Sequence, residues 1–427
     1  MKVMPLVLKM VTGIVLLMSC SKSVMEENED EVLLEDSPEI DIINPLEKES
    51  INGLVPCEDG FAAGYPCSNF DLLSYIPLEY FESFEANDNW GWTDPETGIE
   101  YVLSGLNDGT AFLSIEDPEN PIFLGKLPTA SKPSIWRDIK VYKNHAFIVS
   151  EAQDHGMQVF DLTKLRGLTS RQTFTADAHL TDFKNAHNIS INEDSGFAYV
   201  VGSNLYEGGP VFIDINDPKN PMVVGGYADA SYTHDAQIVN YNGPDENYKG
   251  KELFFGSNSD GGANNQVVIL NVTNKENPTL VQSINYDNGG YTHQGYLTED
   301  HRYFLLGDEL DEQIFGSPTS TRIFDITDLS DPKLHLNYYS TVQAIDHNGY
   351  TKGDLFYLAS YRAGLRVLDI SAIGEKQVSE KGFFDTYPSD NNPEFNGAWN
   401  VYPFFESGVI AINDIESGLF LVRASQD

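Results

Sequence analysis

Four histidines, His187, His234, His293 and His347, each stand directly before an amide or acid: Asn188, Asp235, Gln294 and Asn348. Neutral imidazole suits transition ions, whereas carboxylate and carbonyl oxygens suit calcium. Four imidazoles gathered at one point and ringed by carboxylates would therefore form a divalent-metal site. Segments that would reach the same place carry Asp138, Glu151, Asp154, His155, Asp308, Glu309, Arg362 and Asp414. Beside a bound metal, Glu151, Asp308 or Glu309 would serve as general base of a hydrolase or lyase. The same pattern has a plainer reading, in which each polar pair hydrogen-bonds its neighbouring repeat and recurs because repeats recur. The four tryptophans, Trp90, Trp92, Trp136 and Trp399, fall at comparable places. There they either grip a sugar ring or a peptide side chain, or plug a channel. The run Ser257 to Gly262 has the composition of a calcium loop, but no bidentate Glu follows at the required spacing. No G-x-S-x-G, H-E-x-x-H or phosphate-cradling Gly-Lys loop occurs.

These residues share an address because the chain repeats. From Trp90 to Ser425 one phrase recurs seven times: a hydrophobic strand, a turn, an alternating strand of the form V-x-I/L-D-I, often D-P-x-N-P, and a further strand. The clearest copy is AHNISINEDSGFAYVVGSNLYEGGPVFIDINDPKNPMVVGGY, residues 186 to 227. The period is about 48 residues with four strand-length segments per copy, which predicts an all-β, seven-bladed propeller. In that fold the innermost strands begin beside a central channel. Those beginnings are read at His187, His234, His293, His347, Trp399, Trp136 to Asp138, and Trp90 to Trp92. The last copy stops after GLFLVRA, one strand short, and Asn69 to Phe81 read as the missing outer strand that closes the ring. The Asp-Pro-x-Asn-Pro stretches at 117–121 and 217–221 read as turns between outer strands. Cys57 and Cys67, ten residues apart in CEDGFAAGYPC, read as a local disulfide.

The phrases PCEDGFAAGYPCSNFDLLSYIPL, NDNWGWTD, HAFIVSEAQDHGMQVFDL, AHNISIN, YTHDAQIV and GAWNVYPF resemble the choice-of-anchor B family, whose blades belong to the LVIVD-repeat group of propellers. The resemblance covers residues 55 to 425. It implies the propeller architecture and a cell-surface setting reached by an anchor that differs among members, and it carries no biochemical activity with it.

The 427 residues hold 65 acidic against 26 basic side chains, a formal charge of −39 that repels nucleic-acid phosphates and excludes a nucleic-acid partner. Residues 1–19 read as a secretory signal: two lysines, an apolar run from Met10 to Met18 too short to span a bilayer, and then Leu17-Met18-Ser19-Cys20. That ending resembles a lipobox, with Cys20 as the acylated residue. Residues 20–54 are dense in acids and read as an extended, disordered tether. Residues 55–427 are the propeller. The expectation is an outer-membrane lipoprotein of a Gram-negative bacterium, at the cell surface or in the periplasm, binding a protein or glycan at the mouth of its channel. The alternative is the metal-dependent enzyme above; a purely structural role in surface assembly is a third reading.

Overall fold

The computed structural model describes residues 49–259 and 264–426. The signal segment, Cys20, most of the acidic tether and Asp260 lie outside them. Seven antiparallel sheets follow one another along the chain, one per repeat. Numbered by innermost strand, blade 1 starts with Ala86–Thr93, blade 2 with Arg137–Tyr142, blade 3 with Asn188–Asn192 and blade 4 with Thr233–Asn240. Blades 5, 6 and 7 start with Thr292–Leu297, Gly349–Lys352 and Ala398–Tyr402. Each innermost strand touches those of the two neighbouring blades, and that of blade 7 returns to blade 1, so the ring closes around an axis. The fold is a seven-bladed β-propeller.

Alternation along each strand builds the core between blades, because successive side chains leave opposite faces. In blade 3, Ala198 and Val200 pack with Phe147 and Val149 of blade 2. The interleaved Tyr199 and Val201 pack instead with Ala236, Ile238 and Phe254 of blade 4. In six blades a bulge interrupts the pairing of the third and fourth strands, as between Phe212 and Ile213 or Ile323 and Phe324. A bulge raises local twist, which turns each blade against the next. The Asp-Pro-x-Asn-Pro turns form as expected. Asp117 accepts from the Glu119 amide at 3.1 Å and from Asn120 Nδ2 at 3.0 Å, and Asp217 caps its own turn in the same way.

Ring closure uses the expected strand. Phe70–Pro77 pairs with Gly418–Ala424 as the fourth strand of blade 7. Two further pieces of the N-terminal segment reinforce it. Tyr65–Ser68 adds to the outer strand of blade 6, Ser379–Phe384, and a disulfide joins Cys57 to Cys67. Ile51–Val55 adds outside Phe70–Pro77. Residues 51–54, read from the sequence as the end of a disordered tether over 20–54, instead belong to this strand. Ile51 and Val55 face the aromatic cluster of Tyr65, Tyr75, Phe384 and Phe420, and that burial recruits them to the sheet.

Candidate functional site

The four histidines occupy one layer at the start of the innermost strands, and a backbone device puts them there. In blades 4, 5 and 7 the first strand begins with a bulge between Thr233 and Asp235, Thr292 and Gln294, and Ala398 and Asn400. The extra residue in each is His234, His293 or Trp399, and a bulge re-aims its side chain out of the strand's alternation. Ring centroids run 4.0 Å from His187 to His234, 4.3 Å to His293, 4.3 Å to His347 and 4.8 Å to Trp399. The result is an arc of imidazoles around part of the channel. The cavity it bounds, lined also by Asp88, Trp136 and Arg137, holds about 20 Å³, room for one water or one ion.

The arc is electrostatically uneven. His187 Nδ1 lies 2.6 Å from Glu151 Oε1. Burial disfavours its charged form, but the hydrogen bond and charge of Glu151 outweigh burial and raise its pKa. Burial pulls His234 well below the usual imidazole range, with the charge of His187 adding to it. Burial and the flanking imidazoles do the same to His293, and burial brings His347 down to about 3. His347 Nδ1 donates to the Trp399 carbonyl and His234 Nδ1 to the His293 carbonyl, which turns their Nε2 atoms toward the cavity. Glu309 stands over the last two: its Oε1 is 3.5 Å from His293 Nε2, 3.7 Å from His347 Nε2, and accepts from the Tyr361 hydroxyl at 2.9 Å. With both imidazoles neutral, these contacts are not ion pairs. His293 Nε2 is buried without a hydrogen-bond partner, and burial raises Glu309 to about 7 despite the Tyr361 bond. The ligand atoms of His293, Glu309 and His347 all lie within 4.8 Å of one another.

The residues next along the innermost strands form the inter-blade bonds of the plainer reading. Asp88 accepts from the Ile139 amide at 3.0 Å and Asp138 from the Ile189 amide at 2.7 Å. Asp235 accepts from Asn188 Nδ2 at 2.9 Å and Gln294 from the Gly349 amide at 3.0 Å. Asn400 donates back to Asp88 and so completes the circuit from blade 7 to blade 1. Lys140, not singled out by the sequence, sits among these acids at 2.6 Å from Asp138 and 3.6 Å from Asp88. It also lies 4.5 Å above the Trp90 ring. Its signal was its place, two residues beyond Asp138 on the channel side of the strand. Below this layer a chamber of about 150 Å³ is lined by Trp90, Lys140, Glu193, Tyr296 and Tyr350.

The histidines of the polar pairs thus line the cavity, while Asn188, Asp235 and Gln294 beside them bond between blades. Other expected site residues are elsewhere. In blade 1 the layer position belongs to Asn87 and Asp88, because the bulge between Ala86 and Asn89 shifts the strand start ahead of the tryptophans. Trp90 lines the lower chamber, while Trp92 stacks on Tyr101 and donates to Asn144. Trp136 and Trp399 remain at the mouth, half-buried. His155 lies behind the wall, its Nε2 accepting from Arg137 at 3.0 Å and its Nδ1 donating to the Gly156 carbonyl; burial lowers it to about 3. Asp154 is exposed at a left-handed turn, φ 60°. Asp308 is fully buried and saturated by the Gly290 and Tyr291 amides and the Tyr286 hydroxyl. Arg362 ties a loop through Asp390, Glu394 and Asn396, and Asp414 caps the turn to Ser417.

No protein-family model matches the chain, and no curated protein matches it. Solved structures do. A protein from Lactobacillus plantarum is 12% identical with a TM-score of 0.51, covering 77% of this chain and 88% of its own. A putative 6-phosphogluconolactonase from Bacteroides uniformis is 14% identical with a TM-score of 0.49, covering 68% and 83%. The likeness to the Lactobacillus plantarum protein, at 12% identity, is one of fold alone.

Proposed function

We propose that the chain is an exported, lipid-anchored propeller of the choice-of-anchor B type that works as a binding module, with a transition-metal site at its channel mouth. His293, His347 and Glu309 would hold the ion. The observation that carries this is the convergence of their ligand atoms within 4.8 Å, with His293 Nε2 buried and unpartnered. Two neutral imidazoles and a carboxylate are a donor set for zinc and its neighbours, and leave coordination positions open. His187 and His234 line the same cavity without completing the ligand set. The cavity admits an ion and little more, so a protein or glycan partner would rest across the rim, gripped by the half-buried Trp136 and Trp399.

Binding is favoured over turnover because the carboxylates considered as bases are already engaged. Glu151 is held by His187, Asp308 by three donors, and Glu309 by the metal in this reading. Metal-free full chain titrated calorimetrically with zinc should bind one equivalent. His293→Ala, His347→Ala and Glu309→Gln should each weaken binding at least about ten-fold, while the distant His301→Ala leaves it unchanged. Equal zinc affinity in all four variants would sink the assignment.

A further inference from the structure

A second cluster of ligating groups lies between blades 5 and 6. The loop after Tyr303–Asp308 continues Glu309-Leu310-Asp311-Glu312 into a five-residue helix, and Asp346 reaches the same place from the segment before the innermost strand of blade 6. Carboxylate oxygens of Asp311, Glu312 and Asp346 all lie within 4.8 Å of one another, and the three residues are only 2%, 2% and 1% exposed. Room for Asp346 comes from Gly307, where a Cβ would sit 2.3 Å from Asp346 Oδ2.

Clustering alone would mean little, but the hydrogen-bonding is incomplete in one direction. Asp311 Oδ2 is served by Arg322 at 2.8 Å and Ser320 at 2.8 Å. Asp311 Oδ1, both oxygens of Glu312 and both of Asp346 are buried with no donor from outside the cluster, and the Asp311 and Glu312 carboxyls can bond each other only with a proton between them. Buried carboxylates without donors are costly, and buried acids are ordinarily paired or coordinate a metal. Were all three ionised, they and the one guanidinium would leave two negative charges, which one divalent ion neutralises. The donors are all carboxylate oxygens, the ligand type of a hard cation.

We infer that Asp311, Glu312 and Asp346 bind a calcium ion that fastens the 308–312 loop of blade 5 to blade 6. The site is separate from the histidine site in residues and in metal class. Because Glu309 belongs to the fastened loop, calcium would also hold Glu309 over His293 and His347.

The test uses the full chain stripped with chelator and titrated with calcium chloride, read by calorimetry and by the thermal unfolding midpoint. The expected result is one equivalent bound and a raised midpoint, with affinity reduced at least about ten-fold in Glu312→Gln and Asp346→Asn. His293→Ala should keep the calcium response, so loss of zinc binding alone would leave this inference standing. If the three acids instead keep their protons, calcium will give no heat and no midpoint shift in the wild-type chain. Both amide variants would then be as stable as the parent, and the inference would be overturned.

Discussion

At the residue scale the channel illustrates how burial sets charge. Asp138 and Asp235 hold equivalent places at the starts of the innermost strands of blades 2 and 4, yet the two diverge because Lys140 lies against Asp138. Burial, followed by repulsion from Asp138, lifts Asp235 to about 7. Its ordinary value is 3.8, so between roughly pH 4 and 7 the folded chain keeps a proton that the unfolded chain gives up. The stability this contributes is full below the unfolded value and is lost as pH rises through about 7. Urea midpoints should therefore fall between about pH 5 and pH 8, and Asp235→Asn should flatten that fall. An unchanged slope in the variant would show that other groups govern it.

At the scale of elements, closure rests on one strand. Phe70–Pro77 lies between Gly418–Ala424 and Ile51–Val55, and its Leu72 and Tyr75 are buried in the cluster that also holds Phe420 and Val422. Deleting residues 67–81 would expose an unpaired edge in blade 7 and remove Cys67 and its disulfide, so the domain should lose its cooperative transition in circular dichroism. A truncated protein that melts sharply would contradict this. This strand, the seven blades and the disulfide were legible because each leaves a local mark: alternation, a repeated turn, two cysteines ten apart. The histidine layer was legible for the same reason, as one residue per repeat. What escaped were features made by loss of period. The bulge between Ala86 and Asn89 displaced the blade 1 register and hid Asp88 behind the conspicuous tryptophans. The Glu312–Asp346 meeting joins loops of two blades, and no spacing in one repeat announces it.

At the scale of the molecule, the export signal, Cys20 and the acidic tether are read from sequence and stand as part of the proposed function. Among the described residues no helix is long and apolar enough to cross a membrane, and acyl chains on Cys20 would supply the attachment. The wild-type protein should partition into the detergent phase and Cys20→Ser into the aqueous phase. Equal partition would dismiss the anchor. The latch has a further consequence in time. Ser425 donates to Asp71 at 2.6 Å across 354 residues of chain, in the same sheet where the N-terminal strand meets the last one. The strand made early waits for a partner made more than 340 residues later, so a chain emerging vectorially holds an open, unlatched array of blades until Gly418–Ala424 arrives. Contacts this remote are slow to form and leave sheet edges bare meanwhile. Completion of the ring is thus a late step, possible only once Gly418–Ala424 has been made.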